Sequence, residues 1–345
     1  MELKEHGPWI SADGPHADVV LSCRARLARN IAGFPFVNSA STTQRHELLN
    51  IARQVLLRCR LADGMTWVDL VETTPRDREL LFERHLISRN LAEADIERAV
   101  VISSDETLSV MVNEEDHLRM QVLAPGLALT DVHDRIHAVD DAIEAHIDYA
   151  FSKRWGYLTA CPTNVGTGIR FSVMMHLPAL KIINEIERVR RAAKDLHLAV
   201  RGYYGEGSES SGDFYQISNQ VTLGKSEAEL LAELEEKILP RIIEYEHHAR
   251  RILAERNQTV LDDQIHRAVG TLRSARLMRV EEAMKLLSRV RLAVCLGRFP
   301  EIDPNLINRL FLQVQPAHLQ SHAGRSLSAA EVQKTRADVL RAALS

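Results

Sequence analysis

Four short stretches of this 345-residue chain concentrate side chains that could do chemistry. Ser22, Cys23, Arg24, Ala25 and Arg26 read SCRAR, with two arginines on one side if the chain is extended. Residues 113–119 read NEEDHLR and crowd Glu114, Glu115, Asp116 and His117 ahead of Arg119. Residues 159–172, TACPTNVGTGIRFS, set Cys161 before a proline and Arg170 after Gly166 and Gly168. Residues 200–209, VRGYYGEGSE, hold Arg201 and Glu206 among glycines. Singly, each has an ordinary explanation: solvated arginines, a solvated acidic turn, a small buried cysteine, a flexible linker. Together, the five arginines suit a highly charged anion, such as a nucleoside triphosphate with Mg²⁺. Glutamates from two separate segments suit a planar cation with several N–H donors, a guanidinium. The glycines in 159–172 are expected to let backbone approach a ligand closely.

Several phosphate-binding schemes are excluded. No GxxxxGK[ST] loop occurs, the HRD and DFG signatures of protein kinases are missing, and GEGSES breaks GxGxxG at its last position. Phosphate would be held by arginines and backbone. Lys plus Arg total 43 against 47 acidic residues, a net charge of −4, which argues against direct nucleic-acid or anionic-membrane binding but permits a local basic pocket. Cys23, Cys59, Cys161 and Cys295 are far apart, without a CxxC pair, so neither a disulfide framework nor a zinc site is indicated, and no metal is expected on protein side chains. No apolar run approaches a membrane span, and MELKEHGPWISADGPH lacks signal-peptide patterning. The expected setting is a reducing cytoplasm.

The elements that must position these residues follow from periodicity. Residues 1–15 read as an irregular arm and 18–22 as a strand. Helical spacing covers 43–61, with Thr42 or Thr43 as cap, then 76–86, 134–153 and 179–195. Residues 99–112 read as a hairpin turning at 103–105; 118–123, 171–177, 197–203 and 213–223 read as strands. Without regular βαβ units, the reading is α+β: a largely antiparallel sheet with helices on one side. Ser226 and Glu229 form a capping box opening a long helix that Pro240 should kink or break. Only helical periodicity follows from about 256, broken at 297–300, with a last helix opened by Ser328 and Glu331. The expected division is an arm (1–15), a catalytic domain (16–254) and an all-α C-terminal domain (255–345). Residues 284–296, MKLLSRVRLAVCL, carry a wide apolar stripe that suits homodimerisation or packing inside its own domain.

Cys161–Gly168 (CPTNVGTG), NEEDHLR and SCRAR resemble the signatures of the ATP:guanido phosphotransferases, and the resemblance covers roughly residues 15–250. VRGYYGEGSE, ISNQVTLGKSE and the C-terminal helices resemble the family's bacterial protein arginine kinase branch (McsB-type). Metabolite kinases of the family carry a helical domain ahead of the SxRxR motif, which here begins at residue 22. The resemblance implies a guanido-kinase catalytic domain that transfers phosphoryl from Mg-ATP to protein arginines. ATP phosphates are implied to lie against Arg24, Arg26, Arg119, Arg170 and Arg201. Further nucleotide contacts are implied at Ser22–Arg26, at Arg170, Phe171, Ser172, Val173 and Met174, and at Arg201, Gly202, Tyr203, Tyr204, Gly205 and Glu206. His85 matches a position near the adenine. Glu115 and Glu206 match the glutamates that grip the guanidinium, with Cys161 beside it; Mg²⁺ is implied to be held mainly through the nucleotide. Implied partners are arginine-bearing proteins, a small zinc-binding activator protein and a Clp ATPase-protease, in a bacterial cytoplasm. The branch's RDxxRA phosphoarginine-sensing motif is degenerate: Ala337 replaces its first arginine, leaving Asp338 and Arg341.

Glutamate ionises near pH 4.3 and a guanidinium above about 12.5, so full deprotonation before attack would cost roughly 11 kcal/mol. Glu115 is therefore expected to orient the guanidinium with Glu206 and accept its proton as the N–P bond forms. Two other readings stay open: a free-arginine kinase, and a non-catalytic phosphoarginine-binding adaptor.

Overall fold

The computed structural model describes residues 7–203, 211–256 and 258–345. Its strands are β1 (Val20–Arg29), β2 (Thr66–Asp69), β3 (Ala99–Ile102), β4 (Leu108–Val112), β5 (Leu118–Pro125), β6 (Phe151–Ser152), β7 (Gly156–Tyr157), β8 (Ile169–His176), β9 (Leu198–Arg201) and β10 (Phe214–Asn219). Eight form one sheet, ordered β2-β3-β4-β5-β1-β8-β10-β9, every pair antiparallel; β6 and β7 make a separate ribbon.

Alternation along the strands separates two faces. Cys23, Ala25 and Leu27 of β1, Met120 and Val122 of β5, and Phe171 and Val173 of β8 enter the main core. Helices Thr42–Arg58, Leu129–Glu144, Ile186–Asp195 and Leu239–Arg256 cover that face. Among the described residues, the opposite face is covered in two patches. Val100, Ile102 and Met111 meet helices Pro75–Glu83 and Arg89–Glu93. Leu21, Leu123, Met174 and Phe214 meet the C-terminal helices, among them Val280–Cys295 and Pro304–Gln313. Between the patches the sheet bears polar side chains, and the expectation of helices on one side needs that amendment.

Other differences have local causes. The first long helix is capped by Ser41, in a box with Gln44, rather than by Thr42 or Thr43. The helix expected over 179–195 divides at Asn184, whose φ of 62° a helix cannot contain. The helix expected over 134–153 occupies Leu129–Glu144, because Phe151 and Tyr157 pair across the β6–β7 ribbon. Pro240 does not stop its helix. A π-helical turn, Glu233–Ile238, precedes it, with the Leu239 N–H bonded to the Leu234 carbonyl, which widens the turn where the ring would clash. The arm is anchored too: Trp9 and Ile10 are 2% exposed, and Asn308 Nδ2 donates to the Ile10 carbonyl. The stripe in 284–296 is buried inside the chain through Met284, Leu287 and Val290, so it is not a free dimer surface.

Polar groups lock the C-terminal helices to the sheet. Arg291 donates to His176 Nδ1 (2.9 Å) and to the carbonyls of Ala17 and Asp18. His176 Nε2 donates to Ser288 Oγ, whose hydroxyl donates to Asp213. Burial, then Arg291, holds His176 well below its ordinary pKa, consistent with a neutral ring between these partners. Position 254 lies in the last turn of Leu239–Arg256, and the main core crosses it through Leu253, Leu261 and Ile265.

Arg29, 1% exposed, pairs with Asp140 at 2.6 Å, donates to the carbonyls of Ala28 and Thr167, and stacks 3.5 Å from the Tyr157 ring centre. It binds helix Leu129–Glu144 to the loop before β8. Asp140→Asn strands a buried guanidinium and is expected to lower unfolding free energy by about 3–5 kcal/mol in chemical denaturation.

Candidate active site

Three connected spaces run across the uncovered strip of sheet. The first is a slot of about 20 Å³ between Trp9, Leu21, His85, Leu123, Met174 and Tyr203. It opens at Arg24 and Gln216 onto a space of about 200 Å³, also lined by Arg26, Arg119 and Arg201. Those last three arginines also line a cavity of about 620 Å³, with Arg170, Glu115 and Cys161. The trench therefore passes from an aromatic slot, over an arginine floor, to a carboxylate and a thiol.

Register builds the floor. Arg26 lies opposite Arg170 across β1–β8, Arg24 opposite Ser172, and Arg201 of β9 opposite Gln216 of β10. Arg119, opposite Ala28 on β5, is the diagonal neighbour of Arg26. Arg24 Nε donates to Ser172 Oγ (3.3 Å) and Nη2 to Gln216 Oε1 (3.1 Å), both neutral acceptors. Arg26 is buried, and among the described residues its Nε and Nη2 have no hydrogen-bond partner. Burial, then Arg119, Arg170 and Arg201, lowers the Arg24 pKa to about 9. Burial and the other four arginines hold Arg26 well below its ordinary value. Such a face suits a polyanion with many acceptor oxygens.

Each residue of NEEDH has a distinct place in the β4–β5 turn. Asn113, at φ 57°, donates through Nδ2 to the carbonyls of Arg45 and Glu97. His117 is used on both sides: Nδ1 accepts from the Ile31 N–H (3.0 Å) and Nε2 donates to the Pro35 carbonyl (2.8 Å). Asp116 accepts from Asn30 Nδ2 and from the Ala160 N–H (2.7 Å), tying the turn to the residue before Cys161. Glu114 takes Arg119 at 2.7 Å and Ser88 Oγ at 2.6 Å. Burial would raise its pKa, but Arg119, Ser88 and the Glu115 N–H bring it to about 2. Glu115 is left facing the large cavity. Burial, then Glu114 and Asp116, raises its pKa, while Arg119 and a hydrogen bond from Cys161 oppose the rise.

The Cys161 loop is held from behind. Thr159 Oγ1 donates to the Cys161 carbonyl; Thr222 Oγ1 bonds the carbonyls of Thr163 (2.8 Å) and Val165 (2.7 Å). The glycines also serve protein packing, and Gly168 lines the large cavity. A Cβ on Gly166 (φ 108°) would stand 2.4 Å from the Thr222 carbonyl oxygen. One on Gly168 (φ 70°) would meet Arg29 Nη1 at 2.6 Å and the Ala28 carbonyl at 2.7 Å.

Ser22, Arg24, Arg26, Arg119, Arg170, Ser172, Met174 and Arg201 share the trench face with His85 and Tyr203. The side chains of Cys23, Ala25, Phe171 and Val173 point the other way, into the main core, because strand side chains alternate; only their backbone can meet a ligand. Burial pushes the Cys23 thiol up to about 12. Gly202 is buried beside the trench end of β9, and Tyr204, Gly205 and Glu206 lie outside the described residues. His85 (φ 58°) stands edge-on to Trp9 (5.5 Å) and Tyr203 (5.2 Å); burial, then Arg24 and His318, lowers its pKa to about 3. Asp338 and Arg341 pair with each other on helix Ala329–Leu344, and Arg341 also bonds the Ala275 carbonyl. Neighbouring Arg336 is buried and donates to the carbonyls of Val314 and Met278. Sequence reading passed over Trp9, Gln216, Gln121 and Ser88. Only Trp9, the one aromatic of the arm, left a signal; Gln216 and Gln121 join through strand register and Ser88 through the cap of helix Arg89–Glu93.

The family profile of the ATP:guanido phosphotransferase C-terminal catalytic domain matches residues 47–249, and that of the protein-arginine kinase McsB C-terminal domain matches 258–345. A protein-arginine kinase of Symbiobacterium thermophilum is 47% identical over 98% of this chain and 96% of its own. One of Halalkalibacterium halodurans is 42% identical over 98% and 95%. Among solved structures, the duplicated taurocyamine kinase of Schistosoma mansoni superposes with a TM-score of 0.61 at 28% identity, covering 72% of this chain and 35% of that one. A lombricine kinase superposes at 0.59 with 26% identity, over 72% and 71%. On the site geometry and these matches together, the chain belongs to the ATP:guanido phosphotransferase family, in its protein-arginine kinase branch.

Proposed function

We propose that this chain transfers the γ-phosphoryl group of ATP to arginine side chains of proteins. The order of chemistries along one trench carries the reading: aromatic slot, arginine floor, then Glu115 with Cys161. In this reading the base enters at the aromatic slot between Trp9, His85 and Tyr203, which has to widen beyond its present volume of about 20 Å³, and the phosphates lie along the arginines. Near-full-length likeness to protein-arginine kinases favours a protein substrate over free arginine.

A guanidinium nitrogen of the substrate attacks the γ-phosphorus in line. The N–P bond forms as the bond to the β,γ-bridging oxygen breaks, ADP leaves with that electron pair, and the nitrogen's proton passes to Glu115. Its raised pKa narrows the gap to the guanidinium and makes it the better base of the adjacent pair; Glu114, at about 2 and bonded to Arg119, is the poorer one. Arg26 and Arg170 stabilise charge on the transferring group. Cys161 donates to Glu115 and helps orient the guanidinium, and Glu206 is assigned as the second carboxylate in this reading. Glu114 is committed to Arg119 and Ser88, so the described floor offers no set of free carboxylates, and Mg²⁺ would be held by the nucleotide's oxygens, neutralising phosphate charge. We extend the reading to handover of marked proteins to a Clp-type ATPase-protease or control of a stress-response repressor, with a small zinc-binding activator, in a bacterial cytoplasm. What supports this is membership of the branch. No described helix is long and apolar enough to cross a membrane. A homodimer would use a surface other than the stripe in 284–296.

Incubation with Mg-ATP and a mixture of proteins, followed by acid-free mass spectrometry, should yield phosphoarginine on proteins. Transfer to free arginine alone would move the assignment to a metabolite kinase, and no transfer to either would support an adaptor. Glu115→Gln should lower turnover about 10²–10⁴-fold with ATP affinity nearly unchanged. In the wild type, kcat/KM should fall on the acid side with an apparent pKa above the ordinary carboxylate value, because burial raises Glu115 in the free protein. The cationic substrate then favours the ionised carboxylate, so the limb in kcat should lie at lower pH. Arg26→Met should cut kcat about 10²–10³-fold. By removing a buried like charge, it should also raise unfolding free energy by about 1 kcal/mol.

A further inference from the structure

Behind the sheet, away from the trench, lies a second chemically dense cluster. His133 and His137 sit one turn apart on helix Leu129–Glu144, and Glu227 opens helix Glu227–Ala232. One ligand-capable atom from each lies within 4.8 Å of the other two. Glu227 Oε2 is bonded to His137 Nε2 and stands 3.7 Å from His133 Nε2. The two imidazoles are 4.5 Å apart, and Phe171 lies 5.9 Å from His133. His133 Nδ1 meets Asp134 Oδ1 at 3.1 Å, which leaves its Nε2 turned toward Glu227. Metal-bound imidazoles have this arrangement, one nitrogen on the ion and the other N–H held by a carboxylate. The three side chains are 20%, 35% and 18% exposed, so a water molecule can supply a fourth ligand.

We propose that His133, His137 and Glu227 form a binding site for a divalent transition metal, zinc by preference. Two imidazoles and one carboxylate suit zinc and disfavour Mg²⁺, which takes oxygen ligands, so the site is independent of the nucleotide's metal. Bonds of about 2.0–2.2 Å place tetrahedral ligand atoms roughly 3.3–3.6 Å apart, within small side-chain adjustments of the present positions. His137 Nε2 and Glu227 Oε2 are already hydrogen-bonded, and an ion bound between them would take the place of the shared proton. The ion would fasten Leu129–Glu144 to the segment after β10. That segment contains Thr222, which holds the Cys161 loop.

The test uses the full chain, tag-free and stripped with chelator, then equilibrated with Zn²⁺ or Co²⁺. Elemental analysis should find one ion per chain, and saturating Zn²⁺ should raise the melting temperature by several degrees. The Co²⁺ form should show tetrahedral d–d absorption without a thiolate charge-transfer band. His137→Gln and Glu227→Gln should each weaken binding at least about tenfold, while Cys161→Ser leaves it unchanged. No bound ion, a thiolate band, or undiminished affinity in both His137→Gln and Glu227→Gln would overturn the proposal. The wild-type Co²⁺ spectrum decides the donor set even if a variant fails to fold. Phosphotransfer is not the readout, so failure here is distinguishable from failure of the assigned activity.

Discussion

The structure is organised around an unfavourable arrangement: guanidinium groups on neighbouring strands of one sheet face, with Arg26 directly opposite Arg170. Removing a charge from water costs several kcal/mol even after relaxation. Arg119 has Glu114 at 2.7 Å to offset its charge, and Arg24 is met by the neutral acceptors Ser172 and Gln216. A buried Leu, Val or Phe contributes about 1.5–3 kcal/mol. The apolar alternate positions on the same strands, Cys23, Ala25, Leu27, Met120, Val122, Phe171 and Val173, therefore offset the charged face through the core behind it. One strand set serves both purposes because its side chains alternate.

The same constraint explains why the chemistry sits where it does. An apolar helix is a poor cover for a charged face, and among the described residues the helices pack on its two ends rather than on the middle strip. At one end the aromatic slot is built jointly: Trp9 comes from the N-terminal arm, His85 follows helix Pro75–Glu83, and Tyr203 follows β9. Glu83 then caps the helix at Pro316, accepting from the Ala317 and His318 N–H groups, which joins the slot to the C-terminal helices. At the other end Asp116 ties the β4–β5 turn to the Ala160 N–H, so one carboxylate holds the segments that carry Glu115 and Cys161 together. Tight backbone packing at Gly166 and Gly168 keeps that loop against Thr222 and Ala28.

Much of this was legible in the residues. Period-2 apolar runs marked most of the sheet, and SCRAR, NEEDHLR and CPTNVGTG marked the site residues that gather in the trench. Turn chemistry was less legible. Thr42 and Thr43 compete with Ser41 as caps, and only the reach of Gln44 back to Ser41 settles the choice. Pro240 reads as a breaker because the π-helical turn ahead of it depends on packing rather than on local preference. Gln216, Gln121 and Ser88 are ordinary polar residues whose places depend on register and on helix packing, which no local pattern encodes.

The sequence by itself determined the chemistry available: arginines for phosphates, glutamates and a cysteine for a guanidinium, and strands in which charged residues alternate with residues that face the core. Those are local properties of residue type and spacing. Tertiary structure decided which groups are used. It bound Glu114 to Arg119 and left Glu115 toward the cavity, buried the 284–296 stripe, brought Trp9 beside His85, and turned the loop glycines toward protein backbone. Each of these depends on contacts between distant segments, and their distances and desolvation exist only after the chain has closed on itself.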